Sequence, residues 1–268
     1  MNIFKKITFT FGFLISSLLL SACQSHEAAN EIKVGTISGP ETQLMEIAKQ
    51  VAKQNYGLDI QIVEFSDYNL PNIAVSDGSL DANMVEHKPY LDALIKNEHY
   101  ALTTIGRTFI YPVGIYSQKI KNLNQLQTGA IVAIPNDPSN EARALLLLAK
   151  AGVITLKPNA GVTAMPQDIV SNPKNIQIKE IDAAQLPRVL PDVTLAVINT
   201  NFAVPAGLYP SRDALFREDA NSPYANVVVV RIADANSPKL HELVEALHSP
   251  QVVQAAQQIF KGQAIAAW

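Results

Sequence analysis

Segments with the pattern of β-strands alternate with segments of helical pattern from residue 31 onward, and this alternation restricts the fold more than any other feature. Glu31–Ile37 predicts a strand, Glu41–Tyr56 carries apolar residues at helical spacing and ends at Gly57, and Asp59–Glu64 alternates as the next strand. Strands separated by helices indicate helices packed around mostly parallel sheets. The predicted fold class is therefore α/β.

The remaining elements continue the alternation to the C-terminus. Further strands are predicted at Ala101–Arg107, Ile110–Tyr116, Ala130–Pro135, Ile176–Ile181, Leu195–Ile198 and Asn226–Ile232. Helical segments are predicted at Ala74–Asp77, at Lys88–Lys96, in the leucine-rich segment that begins at Pro138, at Ala183–Leu190, at Asn201–Ala206 and at Pro238–Phe260 with a break at Pro250.

A polar segment, Tyr116–Gly129, separates two strand–helix series and indicates a domain boundary. The strand at Asn226–Arg231 would return the chain to the first series. We therefore expect two lobes, the first formed by residues 31–117 plus 228–268 and the second by residues 118–227.

The first 22 residues have the pattern of a secretory signal peptide. Two lysines precede the mostly apolar run Ile7–Leu20, and small residues follow it. The sequence LSAC, which ends at Cys23, resembles the bacterial lipobox, in which the cysteine is lipidated and becomes the first mature residue. We expect residues 1–22 to be removed, Cys23 to carry lipid and residues 23–30 to form a tether. Since Cys23 is the only cysteine, the alternative is a free thiol after an ordinary cleavage site.

Composition argues against nucleic acid as a partner. Hydrophobic residues make up 48% and charged residues 17% of the chain, which is typical of a globular protein. The formal net charge is −3, and no basic run occurs beyond Lys5–Lys6. Nucleic-acid-binding proteins usually carry a basic patch, which this sequence does not show.

Common enzyme signatures are missing from the sequence. It contains no GxSxG, Walker, GxGxxG, HExxH or CxxC motif, and its five histidines are scattered without ligand spacing. We therefore expect no metal, no cofactor and no enzyme activity. Because histidine titrates near neutral pH, an enzyme that uses His87 as a base is kept as an alternative.

Three polar clusters lie where predicted strands pass into helices. They are Phe65–Asn69, Asn83–Tyr90 and Asn136–Arg143. Open α/β sheets bind ligands beyond the carboxyl ends of their strands, so each cluster is a candidate site. The alternatives are core packing of the aromatic rings and a structural hydrogen bond between His87 and Tyr90.

Arg143 lies near the start of the leucine-rich helix, where a cation is unfavourable by about 0.3–1 kcal/mol because the helix N-terminus is itself partly positive. Asp137 is suited to cap this helix, with Pro138 at its first position. Backbone N–H groups and a guanidinium fork near one end suit a bound carboxylate. A loose surface pair with Glu141 or Asp137, worth under about 1 kcal/mol, explains the arginine equally well.

Several longer stretches occur in one order along Glu31–Trp268. They are Val63–Tyr68, Leu80–Asn83 with His87 and Pro89–Tyr90, Ala133–Pro138, Asn140–Leu148, Asp182–Arg188, Ala196–Asn199 and Pro223–Val227. Together with the lipobox they resemble the methionine-binding lipoprotein family of bacterial ABC importers. The resemblance implies a two-lobed periplasmic-binding-protein fold of type II, in which each lobe is a mostly parallel sheet flanked by helices and the ligand lies in the cleft.

The same resemblance implies roles for particular residues. Arg143 would hold the ligand α-carboxylate with Asn140 beside it, and Asn201 and Asn226 would contact the polar amino-acid head. The residues implied around the ligand side chain are Phe65, Tyr68, His87, Tyr90 and Met84, the last standing with Val85 where the family usually has an aromatic pair. A buried charged head needs matched polar partners, whereas a thioether prefers apolar and aromatic contacts.

The implied function is that of a substrate-binding lipoprotein without a cofactor. It would capture methionine, in the L or also the D form, and deliver it to the permease of an ABC importer whose ATPase is another subunit. The protein would be lipid-anchored at Cys23 in the cell envelope and would face the periplasm. Met84 and Val85 make the pocket less aromatic, so another apolar amino acid or a methionine-containing dipeptide stays open as ligand. An enzyme or adhesin on the same fold is a further alternative.

Overall fold

Strands and helices alternate along the part of the chain that the computed structural model describes, residues 30–219 and 222–268. The strands are β1 Glu31–Ile37, β2 Asp59–Phe65, β3 Ala82–His87, β4 Leu102–Ile110, β5 Gly114–Tyr116, β6 Ile131–Pro135, β7 Thr155–Leu156, β8 Ile169–Ser171, β9 Gln177–Ile181, β10 Leu195–Ile198, β11 Phe216–Arg217, β12 Ala225–Arg231 and β13 Ile265–Ala266. The α-helices are α1 Pro40–Tyr56, α2 Leu70–Ser76, α3 Lys88–Glu98, α4 Pro138–Lys150, α5 Leu186–Val189, α6 Thr200–Ala203, α7 Pro210–Asp213, α8 Pro238–Leu247 and α9 Pro250–Ile259. The predicted α/β class is confirmed.

Two mixed sheets carry these elements. The larger has the strand order β13-β4-β12-β3-β1-β2, and the smaller has the order β11-β5-β10-β6-β9. β1 is parallel to β2 and β3, and β6 is parallel to β9 and β10, whereas β12 and β5 pair antiparallel with their neighbours. Each sheet therefore contains more antiparallel strand pairs than expected. The reason is that β5 and β12, the first strands after each crossing of the chain between the sheets, run opposite to their neighbours.

The chain crosses between the sheets between β4 and β5 and again between β11 and β12. The strand expected at Ile110–Tyr116 is interrupted at Tyr111–Val113, where Pro112 has no N–H to donate to a ladder. We propose these two crossings as the boundaries of the lobes. They lie a few residues before the predicted boundaries at 117 and 227.

Apolar side chains fill the space between helices and sheets. Leu44 of α1 and Leu243 of α8 belong to one core cluster on the larger sheet, and Val75 of α2 and Leu91 of α3 belong to another. On the smaller sheet, the leucines of α4 form a cluster with β6 and β10, in which Leu145 has no exposed surface. Each sheet is thereby held as a rigid layer whose strand ends can present polar side chains.

Helix α4 begins as the local sequence predicts. The side chain of Asp137 accepts a hydrogen bond from the backbone N–H of Asn140 (2.8 Å), and Pro138 occupies the first helical position. The cap fixes where the helix starts and so where Arg143, in its second turn, is placed.

No helix in residues 30–219 and 222–268 is long and apolar enough to cross a bilayer. The predicted signal peptide, Cys23 and nearly all of the predicted tether lie outside the described residues.

Candidate functional site

A cavity lies between the two sheets, and we call it the main cavity. The residues that line it are Tyr68, Val85, Glu86, His87, Tyr90, Tyr111, Asn140, Arg143, Asn199, Thr200, Asn201 and Asn226. The larger sheet contributes the ends of β3 and β12 and the smaller sheet the end of β10 and the start of α4, so both layers build the site.

Arg143 is buried in the wall of the main cavity, with 4% of its surface exposed. Its Nε and Nη2 atoms donate to Oε1 and Oε2 of Glu218 at 3.0 and 2.5 Å, and Nη2 also donates to the carbonyl of Tyr111 at 3.0 Å. The guanidinium carbon lies 4.5 Å from the centre of the Tyr224 ring. The interpretation of Arg143 as a loose surface partner of Glu141 or Asp137 is therefore wrong. Its partner is Glu218, far along the chain, in a buried bidentate pair.

The contacts of Arg143 leave one end of its fork for another partner. Its Nε and Nη2 atoms donate hydrogen bonds, whereas its Nη1 atom donates none to the described residues. Glu218 and the Tyr224 ring fix the guanidinium plane, so Nη1 has a defined position for an anion.

Asn140 connects the two sheets at the start of α4. Its Nδ2 donates to both carboxylate oxygens of Asp137 (3.1 and 3.0 Å), and its Oδ1 accepts from Nδ2 of Asn199 (2.8 Å) and lies 3.2 Å from Nε2 of His87. These contacts occupy the side chain of Asn140. The structure thus gives it a positioning role beside Arg143.

His87 is held in one neutral tautomer. Its Nδ1 accepts a hydrogen bond from the backbone N–H of Tyr90 (3.2 Å), so Nε2 carries the proton and donates to Oδ1 of Asn140. Burial, and after it the charge of Arg143, lower the pKa of His87 to about 3. Because both ring nitrogens are engaged, His87 is not suited to take a proton from a substrate at neutral pH.

Two buried carboxyl groups belong to the site that the sequence reasoning did not single out. Glu41 of α1 accepts from Nδ2 of Asn226 (3.0 Å) and from the backbone N–H of Ile37 (3.4 Å). Oε2 of Glu86 accepts from Nδ2 of Asn72 (2.7 Å). Burial raises the pKa of each of the two carboxyl groups to about 8. A charged residue within the apolar pattern of β3 was the signal that could have drawn attention to Glu86.

Hydrogen-bond acceptors without partners face the same region. Among the described residues, Oε1 of Glu86, Oδ1 of Asn199 and Oδ1 of Asn201 are buried and have no hydrogen-bond partner. Nδ2 of Asn226 donates to Glu41, which fixes the amide group of Asn226. The Oδ1 atom of Asn226 therefore has a defined position. The cavity therefore combines one arginine with a group of acceptors that lack donors.

Aromatic rings form the less polar part of the wall. The ring of Tyr68 lies 6.1 Å from that of Tyr90 and 4.9 Å from that of Phe202, and the ring of His87 lies 4.9 Å from that of Tyr224. These distances are typical of edge-to-face aromatic contacts. The rings restrict one another and leave a preformed apolar surface.

Most of the predicted site residues meet in the main cavity. Those that line it are Tyr68, His87, Tyr90, Asn140, Arg143, Asn201 and Asn226. The residues that the sequence reasoning did not name as ligand contacts are Glu41, Glu86, Tyr111, Asn199, Thr200, Glu218 and Tyr224. Glu218 and Tyr224 could not be found from spacing, because they approach Arg143 only through the fold.

Two predicted residues do not reach the main cavity. Met84 has no exposed surface and packs in the core cluster of the larger sheet, because its side chain leaves β3 toward that core while Val85 reaches the cavity. Phe65 packs in the apolar cluster with Val75 and Leu80. The structure thus shows both side chains in apolar packing, and their expected contacts with a ligand stay predictions.

In residues 30–219 and 222–268, no group of three or more His, Cys, Asp or Glu side chains is arranged to hold a metal ion.

Comparisons with known proteins match nearly the whole described chain to one family. A sequence model of the NlpA lipoprotein family matches residues 32–268. The D-methionine-binding lipoprotein MetQ of Salmonella typhimurium is 48% identical over 269 residues, which cover 99% of each chain. A relative of this length and identity shares the fold and the order of the site segments.

Two solved structures resemble the protein at high similarity. An ABC transporter periplasmic substrate-binding protein from Coxiella burnetii is 61% identical with a TM-score of 0.86, and the match covers 88% of this chain and 100% of that one. A nutrient-binding protein from Burkholderia cenocepacia, solved bound to methionine, is 48% identical with a TM-score of 0.86 and the same coverage. All three relatives are named as binding proteins, one of them as part of an ABC transporter, which confirms the prediction of a binding protein rather than an enzyme.

Proposed function

The chain belongs to the NlpA lipoprotein family, and from this premise we propose that it is the substrate-binding lipoprotein of an ABC importer that captures methionine in the main cavity. The resemblance of the sequence implies a ligand in the cleft between two lobes, and the position of the main cavity between the two sheets supports this. Binding proteins of this architecture close around a ligand and open to release it.

The observation that carries this proposal is the pairing of a fixed arginine with acceptors that lack donors. An amino-acid zwitterion has one carboxylate, which suits Nη1 of Arg143, and one ammonium with three N–H donors. The unpartnered oxygens of Asn199, Asn201 and Glu86, with the amide of Asn226 beside them, provide acceptors for those three donors. A ligand with only one of the two charges would leave half of this arrangement unsatisfied.

The aromatic part of the cavity suits the methionine side chain. Sulfur–aromatic contacts contribute about 0.3–1.5 kcal/mol each, and Tyr68 and Tyr90 offer ring faces and edges beside Val85. Relatives that carry methionine in their names or structures support this ligand class.

A methionine-containing dipeptide is the second candidate ligand, because a further cavity adjoins the first. Tyr68 and Tyr90 line both cavities. Native mass spectrometry of protein purified without added ligand separates the two candidates by mass. A dipeptide mass, or the mass of another apolar amino acid, would overturn methionine as the natural cargo.

We place this protein at the membrane surface through a lipid on Cys23, with its folded part facing the periplasm. The lipobox resemblance supports the lipid, and the relatives named as lipoproteins and periplasmic proteins support the compartment. Its partners in this proposal are the permease and ATPase subunits of the importer. Mass spectrometry of the mature N-terminus tests the anchor, which would be contradicted by an unmodified Cys23.

Calorimetric titration with L-methionine tests the proposed site. Arg143→Ala should weaken binding by at least about 30-fold, because removal of one partner from a buried charged contact costs about 2–5 kcal/mol. Arg212→Ala is the matched control, since Arg212 is an exposed arginine paired with Asp213, and it should leave affinity unchanged. Arg143→Lys keeps the charge but loses the fork, and should bind in between. Wild-type affinity in a folded Arg143→Ala variant would contradict the carboxylate assignment.

A further inference from the structure

Glu86 is a buried carboxyl group in the wall of the main cavity that the fold satisfies only on one side. Its exposed fraction is 3%, its Oε2 accepts from Nδ2 of Asn72 at 2.7 Å, and its Oε1 has no hydrogen-bond partner among the described residues. Oδ1 of Asn72 in turn accepts from Nδ2 of Asn83 at 2.9 Å. The amide of Asn72 is therefore fixed, and it holds Glu86 in one orientation.

A bulge in β3 places Glu86 in this position. Val227 of β12 pairs with Glu86 and Val229 pairs with Asn83, so two steps along β12 match three steps along β3. In a regular strand, residues 83 and 86 would point to opposite faces. The extra residue lets both side chains contact Asn72 of α2, as bulges commonly do where a side chain must be redirected.

The surroundings of Glu86 supply no cation of its own. Among the described ion pairs, that of Arg143 is formed with Glu218, and none includes Glu86. The ionisable groups that line the cavity with it or act on it are neutral His87, Tyr68, Tyr90, Tyr111, Arg143 in α4 and Asp137 at the cap of α4. Burial, and to a smaller degree the charge of Asp137, raise the pKa of Glu86 to about 8.

The other buried carboxyl group, Glu41, is satisfied differently. Both of its oxygens accept hydrogen bonds, one from Asn226 and one from the backbone of Ile37. Glu41 therefore orients Asn226, whereas Glu86 retains an oxygen for a donor that the described residues do not provide. The two groups make a matched pair for experiment.

We propose that Glu86 is the specificity-determining residue for the cationic end of the ligand, and that capture of an amino acid releases one proton from it. This inference rests on the proposed function. The neutral carboxyl group of the ligand-free protein gives its proton to the solvent, and the resulting carboxylate pairs with the ligand ammonium, so that the ligand enters and leaves as the same zwitterion. A 2-hydroxy acid with the methionine side chain lacks the ammonium and would bind without this proton release.

The test is calorimetric titration of the full chain, solubilised in mild detergent, with L-methionine in buffers of different ionisation enthalpy. A pKa of about 8 leaves roughly 0.9 of a proton on Glu86 at pH 7, and the titration should release that amount. Affinity should rise about ninefold from pH 6 to pH 7, because the fraction of ionised Glu86 rises by that factor. The 2-hydroxy acid should bind more weakly and release no proton.

Two variants locate the proton. Glu86→Gln should abolish most of the release and flatten the pH dependence, whereas the control Glu46→Gln, at an exposed glutamate outside the cavity, should keep both. Retention of the release in Glu86→Gln together with its loss in Glu41→Gln would overturn the assignment to Glu86. The wild-type measurement needs neither variant to fold: methionine binding without proton release overturns this inference alone, whereas no methionine binding overturns the proposed function.

Discussion

Two ionisable side chains in the wall of the main cavity, Arg143 and Glu86, are satisfied in opposite ways, and we call their surroundings the arginine end and the carboxyl end. At one end the guanidinium of Arg143 has a bidentate carboxylate, a backbone carbonyl and an aromatic ring. At the other end the carboxyl group of Glu86 has one amide, and its second oxygen has no partner among the described residues. The fold alone therefore holds the arginine through several groups, whereas it holds the carboxyl group on one side, and in our proposal a ligand completes the contacts of that group.

The same difference separates the effects of pH. Arg143 already pairs with Glu218 through Nε and Nη2, and its Nη1 atom is left for the ligand carboxylate. Burial raises the pKa of Glu86 to about 8, so its end changes charge near neutral pH. We expect affinity to come from the first end and pH dependence from the second.

The largest expected effect comes from removing the partner of Arg143. Glu218→Ala leaves a buried guanidinium with 5% exposure of its side chain and no bidentate partner. Loss of one partner of a buried pair typically costs about 3–5 kcal/mol in the free energy of unfolding. Urea denaturation measures this cost.

The neighbouring residue supplies the control for that experiment. Asp219 pairs with Lys150 at the surface, where both side chains are 55% exposed. Asp219→Ala should change the free energy of unfolding by less than about 1 kcal/mol. Equal stabilities of the two variants would show that Glu218 does not hold the arginine end rigid.

The second largest effect is a change in stability with pH that comes from Glu86. The folded pKa of Glu86 is about 8, above the value near 4.5 of an unperturbed glutamate, so folding favours its neutral form. The stabilisation is complete below about pH 4.5 and is lost at about 1.4 kcal/mol per pH unit as pH rises toward 8. Glu86→Gln should therefore gain stability relative to the wild type between pH 5 and pH 7.

Urea denaturation of the ligand-free protein at pH 5 and pH 7 checks this sign. Glu46→Gln is the surface control, since Glu46 is 51% exposed and pairs weakly with Lys49. It should follow the wild type at both pH values. A Glu86→Gln variant that does the same would show that the buried carboxyl is not neutral in the folded protein.

The smallest effect is expected from removing the hydroxyl group of Tyr90, which lines the main cavity. The hydroxyl of Tyr90 lies 3.3 Å from the carbonyl of Tyr68 and 3.5 Å from Oδ1 of Asn69, both long for hydrogen bonds of a hydroxyl group. Tyr90→Phe should change the free energy of unfolding by less than about 0.5 kcal/mol and leave methionine affinity within about twofold. Tyr90→Ala, which removes the ring, should weaken binding further. A large loss in Tyr90→Phe would mean that the aromatic wall is also a polar contact.

The arginine end shows which parts of a site can be predicted from neighbouring residues. The cap by Asp137, Pro138 at the first helical position and Arg143 in the second turn all follow from residues within one short segment. Glu218 is 75 residues from Arg143 in the sequence, so no local pattern connects them. The resemblance to the family predicted the position of the site and could not predict the contacts that hold it.

The carboxyl end shows a different limit. Glu86 was within a cluster identified from the sequence, yet its burial and its missing partner depend on a one-residue bulge in β3. The same strand sends Met84 into the core and Val85 to the cavity. A shift of one residue reverses which side chains face a ligand, and sequence alternation alone does not fix such shifts.

Local sequence patterns and resemblance were enough to predict the alternation of strands and helices, the start of α4, the candidate residues around His87 and Arg143, and the family. These follow from interactions within a few residues and from long collinear resemblance. The tertiary structure decided the mixed sheets, the pair of Arg143 with Glu218, and the isolation of Glu41 and Glu86 from solvent. The physical reason is that burial and long-range pairing exist only after distant segments pack, and these two conditions set the charge of each buried group.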